Sequence, residues 1–122
     1  MNLFQQGKVT LHSGENALWK IECDALTNKD IQTIALMLME VLPPFDKVEG
    51  VPRGGLRLAE ALRGYSINGG QLLIVDDVTT TGFSLEKQRT GRSAIGAVIF
   101  ARGRCQDWVT PLFQMPIKME TL

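Results

Sequence analysis

Two adjacent carboxylates followed by a run of hydroxyl groups form the part of the sequence best suited to chemistry. Asp76 and Asp77 (the acid pair) directly follow four apolar residues, and residues 79–84 (the hydroxyl loop) contain three threonines, a glycine and a serine. The glycine, Gly82, permits a positive φ, so successive backbone N–H groups can turn towards one point beside the positive end of a following helix. Such a loop can hold a phosphate, and carboxylates beside it are strong acceptors for vicinal sugar hydroxyls. A solvated acidic pair before a threonine-rich turn is the alternative interpretation.

A second segment with anion-binding composition lies upstream at residues 50–55 (the glycine turn). It reads Gly-Val-Pro-Arg-Gly-Gly. Its glycines let the backbone approach an anion closely, and Arg53 can neutralise the anion's charge. A plain tight turn is the alternative.

Both segments follow predicted strands and precede predicted helices. Apolar runs predict strands at residues 47–51, 71–78, 95–101 and 109–114. Helical patterns alternate with them, which predicts an α/β fold with a mostly parallel central sheet, flanking helices and right-handed crossovers. Parallel sheets bind ligands beyond the carboxyl ends of their strands, where both segments are expected to lie.

The N-terminal third is predicted to add a hairpin and a helix. Residues 8–12 and 17–22 alternate as strands around a turn-forming stretch. Thr27 is a predicted helix N-cap with Asp30 completing a capping box, and two prolines at 43–44 stop that helix.

A further predicted helix spans residues 56–63. Gly64 follows it as a predicted left-handed C-cap.

The composition bounds the class of protein. At 122 residues, with 44% hydrophobic and 21% charged residues, the chain is expected to form one globular domain over residues 1–122. No apolar run reaches the roughly 18 residues of a membrane span, and no secretory signal is recognisable, so a cytoplasmic location is expected. Cys23 and Cys105 lack metal-ligand spacing and are expected to be reduced thiols.

The net charge is zero but its distribution is uneven. Residues 1–52 carry a balance of −3, whereas residues 53–104 carry +4. This basic middle suits a small anionic ligand. No long basic tract indicates nucleic acid.

The thirteen residues 72–84 resemble the 5-phosphoribosyl-1-diphosphate (PRPP) binding motif of type I phosphoribosyltransferases. They run as an apolar strand, acid–acid, apolar residue and then x-Thr-Thr-Gly-x-Ser. The resemblance implies that Asp76 and Asp77 are the catalytic residues and hold the ribose hydroxyls. It also implies a binding site for the ribose 5-phosphate made by the acid pair together with Val78, Thr79, Thr80, Thr81, Gly82, Phe83 and Ser84.

Further patches are similar to orotate phosphoribosyltransferase: residues 9–14 with 19–22, residues 100–102 and residues 108–113. The resemblance implies that Arg102 and His12 contact the base, although a partly exposed strand histidine is equally consistent at position 12. For the glycine turn it implies a pyrophosphate site made by Pro52, Arg53, Gly54 and Gly55.

Two departures from the resembled family bear on activity. Only six residues, 65–70, stand where the family has a further strand and a mobile basic lid. In the strand order 2-1-3-4-5 the missing strand is an edge strand, so the fold can survive its loss. Ala101 replaces the acid expected before Arg102. Losing the lid is expected to lower the rate more than the binding affinity.

The sequence therefore predicts a shortened, orotate-like phosphoribosyltransferase that transfers ribose 5-phosphate from PRPP to a nitrogenous base such as orotate and releases pyrophosphate. Mg²⁺ is the expected cofactor, bound mainly by the substrate, with at most water-mediated contact to Asp76 and Asp77. A homodimer is expected, with no nucleic-acid or membrane partner. The alternative is a PRPP- or nucleotide-binding regulatory or scaffold module without turnover.

Overall fold

The computed structural model describes residues 1–11 and 14–117. Within them, a two-stranded antiparallel hairpin precedes a four-stranded parallel sheet with helices on both faces. The elements are β1 (Phe4–Thr10), β2 (Asn16–Ile21), a 3₁₀ turn (Cys23–Ala25), α1 (Asn28–Met39), β3 (Phe45–Gly50), α2 (Leu56–Arg63), β4 (Gln71–Thr79), α3 (Phe83–Arg89), β5 (Ile95–Ala101) and β6 (Val109–Gln114). The predicted α/β class, parallel sheet and N-terminal hairpin are confirmed.

The parallel sheet has the order β3-β4-β5-β6 and separates two cores. Successive residues of a strand face opposite sides, so Leu73 and Val75 of β4 pack with α1 and α2, while Ile74 packs with Leu85 of α3. These β4 residues are fully buried. The strand that carries the acid pair is therefore held on both faces and by hydrogen bonds on both edges.

The prediction that the crossovers are right-handed is wrong for one of them. The chain advances in one direction from β3 to β4 to β5, yet α2 and α3 lie on opposite faces, so their crossovers have opposite hands. The short link at 65–70 explains this difference. In the order 2-1-3-4-5 the helix after strand 1 leads to strand 2, which lies on one side of strand 1. Here the link leads from α2 directly to β4, which takes the place of strand 3 on the other side.

The ends of α1 and α2 show which capping predictions hold. The capping box at α1 is confirmed: the Asp30 N–H donates to Thr27 Oγ1 (3.1 Å) and the Thr27 N–H donates to Asp30 Oδ2 (2.8 Å). Helix α1 ends at Met39, before the prolines. The left-handed cap at Gly64 is wrong, since its φ is −65°. The chain continues into another turn there, with the Tyr65 N–H on the Leu62 carbonyl, and needs no reversal.

Aromatic contacts fix the hairpin to the carboxyl end of the sheet. Strand β1 begins at Phe4, earlier than predicted. The Phe4 ring meets the Phe100 ring edge-on, with centroids 5.9 Å apart, and Phe100 stacks on Phe113 at 5.4 Å. Since Phe100 lies near the end of β5, the hairpin is anchored beside the edge where ligands bind to parallel sheets.

Within the described ranges, no helix is both long and apolar enough to cross a membrane. Both cysteines are free thiols, as predicted. Burial is the main reason that the pKa of Cys23 is raised to about 12.

Candidate functional site

The end of β4 fixes the acid pair through its own backbone. Asp76 Oδ1 accepts a hydrogen bond from the Asp77 N–H (2.8 Å), and Asp77 Oδ1 accepts one from the Val78 N–H (2.7 Å). Asp76 is only 9% exposed, whereas Asp77 is half-buried. The two carboxyl groups are thus held at the carboxyl edge of the sheet before any ligand arrives.

The electrostatics of the acid pair favour a positively charged or hydroxyl-bearing ligand. Burial, then the charge of Asp77 and a hydrogen bond between the two side chains, raise the pKa of Asp76 to about 8. No lysine or arginine of the described chain is among the groups that set this pKa. At neutral pH the pair therefore holds a proton, which a cation or hydroxyl donors can replace.

This raised pKa makes the free energy of unfolding depend on pH. The folded chain keeps the Asp76 proton up to about pH 8, whereas an unfolded aspartate loses it near pH 3.9. Stability contributed by the bound proton is full at low pH and is lost as the pH rises towards 8. The slope approaches about 1.4 kcal/mol per pH unit between pH 5 and 7.

Urea unfolding at pH 5, 6, 7 and 8, at fixed ionic strength, measures this slope. Asp76→Asn should flatten it, because the variant has no proton to lose at this position. An equally steep dependence in the variant would contradict the assignment of the proton to the acid pair.

The hydroxyl loop joins β4 to α3 in a tight turn. Thr79 is buried as the last residue of β4, and Gly82 adopts the positive φ that a glycine permits, 80°. The Phe83 N–H donates to Thr81 Oγ1 (3.3 Å). Phe83 and Ser84 were predicted as loop residues but already belong to α3, because the chain becomes helical directly after Gly82. Their side chains are exposed.

The glycine turn contacts the acid pair. The Val51 N–H donates to the Val75 carbonyl (2.8 Å), which places the turn beside the end of β4. A methyl group on Gly54 would lie 2.5 Å from Asp77 Cγ, and one on Gly55 would overlap the Val75 carbonyl oxygen and lie 2.8 Å from the Val51 nitrogen. These glycines thus lie in close contact with the Asp77 side chain and with the Val75 and Val51 backbone, and the predicted approach to an anion stays a prediction.

The charged residue of the glycine turn and its cis peptide bond lie at the surface of the protein. Pro52 and Arg53 are exposed, and the peptide bond between them is cis. Arg53 is thus an exposed cation next to Gly54, the residue that packs on Asp77.

An open cleft of about 830 Å³ lies between the hairpin and the carboxyl ends of the sheet strands. Its lining includes Thr80 of the hydroxyl loop together with Arg102 and Trp19. The Arg102 guanidinium lies 3.6 Å from the Trp19 ring centroid, and its Nη1 donates to the Trp19 carbonyl (2.8 Å). Arg102 is therefore fixed in the cleft next to the hydroxyl loop. His12 lies outside the described residues, so its role stays a prediction.

Sequence reasoning missed three residues that support this arrangement. Trp19 lies 83 positions from Arg102, and no local pattern connects them. Gly103 lies against the hydroxyl loop, where a methyl group on it would be 2.5 Å from the Thr80 carbonyl oxygen. Gln106 Nε2 donates to the Gly82 carbonyl (3.1 Å). A glycine directly after the predicted arginine was a usable signal for Gly103; nothing marked Gln106.

The donor set at this edge suits a cation carried by a substrate. Among the described residues, no group of three or more histidine, cysteine, aspartate or glutamate side chains could hold a metal. The acid pair supplies carboxylate oxygens, which are ligands that Mg²⁺ prefers. The residues therefore fit Mg²⁺ held mainly by substrate oxygens, with the acid pair adding water-mediated contacts.

The parallel sheet with its acid pair, hydroxyl loop and glycine turn at one edge has the fold of type I phosphoribosyltransferases. More particularly, three solved orotate phosphoribosyltransferases are similar over 92% of this chain. The enzyme from Aeropyrum pernix gives a TM-score of 0.72 at 20% identity over 88% of its chain. That from Mycobacterium tuberculosis H37Rv gives 0.65 at 18% over 89%, and that from Francisella tularensis gives 0.61 at 15% over 80%. No family model and no curated protein matches the sequence.

Proposed function

We propose that the protein is a phosphoribosyltransferase that transfers ribose 5-phosphate from PRPP to a nitrogenous base, orotate or a base like it, with release of pyrophosphate. The observation that carries the proposal is the contact between the glycine turn and the acid pair, with Gly54 packed on Asp77. The glycine turn thereby meets the acid pair directly before the hydroxyl loop, and Thr80 of that loop lines the cleft that holds Arg102.

Each group has a role that follows from its chemistry. The acid pair accepts hydrogen bonds from the ribose 2′- and 3′-hydroxyls and stabilises positive charge developing on the ribosyl carbon. The hydroxyl loop, together with Val78, holds the 5′-phosphate through backbone N–H and hydroxyl donors. The pyrophosphate lies on the glycine turn, where Arg53 offsets its charge as it leaves.

The base is assigned to the cleft at Arg102, with His12 as a second contact. The guanidinium held over the Trp19 ring offers donors to a planar, carboxylate-bearing base. Mg²⁺ bound with the substrate would supply charge stabilisation for the departing pyrophosphate. A cytoplasmic homodimer remains part of this proposal, and sedimentation at micromolar concentration tests the dimer.

The second candidate is a PRPP- or nucleotide-binding module without turnover. The short link at 65–70 favours it, because no segment between α2 and β4 is long enough to cover the site. A site left open to water binds ligand but stabilises a transition state less well.

Phosphorus NMR of Mg-PRPP with the protein and orotate separates the two candidates. New pyrophosphate and nucleotide resonances, beyond those of a protein-free control, are expected for the transferase. PRPP signals that shift or broaden without products would instead support the binding module. Unperturbed PRPP signals would contradict both.

A further inference from the structure

The segment after β5, residues 102–106 (the support segment), touches the hydroxyl loop at three points in succession. The Arg102 N–H donates to the Thr79 carbonyl (2.8 Å). Gly103 packs against the Thr80 carbonyl oxygen, and Gln106 donates to the Gly82 carbonyl. Three of the four residues from Thr79 to Gly82 thus contact the support segment, and Thr81 does not.

Gln106 occupies its position at a cost to folding. Its Oε1 is buried and accepts no hydrogen bond from any described group. A buried acceptor without a donor lowers stability, whereas an apolar side chain of similar length would not. The carboxamide does make one contact of consequence, the hydrogen bond from Nε2 to Gly82.

This hydrogen bond fixes the peptide plane between Gly82 and Phe83. The Gly82 carbonyl also accepts the Glu86 N–H of α3 (3.0 Å), so Gln106 supplies its second donor. Because a trans peptide is planar, directing the Gly82 carbonyl towards Gln106 directs the Phe83 N–H to the opposite side, where it meets Thr81 Oγ1. A carbonyl held in this way cannot turn its negative end towards an anion in the loop.

We propose that Gln106 is a positioning residue for the hydroxyl loop, holding the Gly82–Phe83 peptide so that its N–H and not its carbonyl faces a bound phosphate. The identity of the ligand rests on the proposed function. The geometry of the loop does not.

Gln106→Met tests the proposal, with Gln88→Met as the matched control. Gln88 also uses its Nε2 in one hydrogen bond, to Glu49, and lies further along α3, outside the hydroxyl loop. Three quantities are measured for each protein: amide hydrogen exchange at residues 79–83, melting temperature, and affinity for ribose 5-phosphate by calorimetry.

For Gln106→Met we expect faster exchange confined to the loop, an unchanged or higher melting temperature, and ribose 5-phosphate bound about fivefold more weakly. The control should bind as the wild type does. Unchanged loop exchange in Gln106→Met would overturn the proposal, and so would faster exchange throughout the chain with a lower melting temperature. If the wild type fails to bind ribose 5-phosphate, the proposed function falls, while the exchange comparison still decides the role of Gln106.

Discussion

Asp77→Asn is expected to bind ribose 5-phosphate at least about tenfold more weakly than the wild type and to lose detectable turnover of Mg-PRPP. Hydrogen bonds to a charged acceptor contribute about 1.5–3 kcal/mol each, and one sugar hydroxyl would lose such a bond. Asparagine keeps an Oδ1, which can still accept the Val78 N–H. The variant therefore removes the negative charge and preserves the loop. A loss of binding then shows the contribution of the charge and not of a displaced loop.

Asp76→Asn should fail in the same way without a loss of stability. Burial already favours the neutral form of Asp76, and asparagine resembles that form in size and charge. Above about pH 7, where the ligand's phosphate is already doubly ionised, ligand affinity for the wild type should rise towards pH 8, because binding to the ionised pair displaces its proton. This part of the pH dependence should disappear in the variant.

Calorimetry with ribose 5-phosphate and phosphorus NMR with Mg-PRPP and orotate measure these losses. Glu40→Gln is the matched control, since it removes one exposed carboxylate at the end of α1, close to the start of β3 and away from the acid pair. If both aspartate variants bind and react as the wild type does, the assignment of the acid pair is wrong.

The parts of the fold that the sequence predicted depend on short-range chemistry. The capping box spans only the four residues from Thr27 to Asp30, so its pattern contains all of its partners. The left-handed Gly82 is similarly local, since a glycine between a strand end and a helix start has few alternatives. The buried strand before the acid pair was predictable because a strand covered on both faces is apolar at successive positions.

The parts that failed depend on where distant segments lie. Whether Gly64 needs a positive φ depends on the direction of the next element, and here the chain makes another turn towards β4. The hand of the first crossover depends on which strand follows α2, which the residues of α2 do not encode. Strand β1 begins at Phe4 because it pairs with Ile21 of β2, although its own residues at 5–7 lack the alternation of a strand.

The candidate site divides in the same way. The motif at residues 72–84 predicted that the acid pair and the hydroxyl loop lie together at the end of a buried strand, because this stretch is continuous in the chain. The stacking of Arg102 on Trp19 and the support that Gln106 gives to Gly82 join positions 83 and 24 residues apart. Physical reasoning from one sequence has no access to such pairs, because each residue type is common and neither spacing is periodic.

The two glycines at the end of the glycine turn are expected to respond differently to alanine. In Gly54→Ala the new methyl group overlaps the Asp77 carboxyl group, which can rotate away. That rotation breaks the hydrogen bond from the Val78 N–H and moves the carboxylate out of the site. We expect ribose 5-phosphate affinity to fall by at least about tenfold, with a stability loss below about 1 kcal/mol.

In Gly55→Ala the methyl group meets the backbone of Val75 and Val51, which cannot rotate away. Overpacking of this kind costs about 1–3 kcal/mol or more, so the melting temperature should fall by several degrees. Gly64→Ala is the control, since φ is −65° there and the nearest atom to the methyl group is 4.0 Å away. It should be neutral or slightly stabilising.

Thermal unfolding and calorimetry on the three variants separate a displaced carboxylate from a strained backbone. If the contact between the glycine turn and Asp77 forms part of the site, Gly54→Ala should lose much affinity for ribose 5-phosphate and little stability. Gly55→Ala should chiefly lose stability. A Gly54→Ala protein that binds ribose 5-phosphate as tightly as the wild type would show that Asp77 can move without consequence. The glycine turn and the acid pair would then be neighbours in the fold that do not form one site.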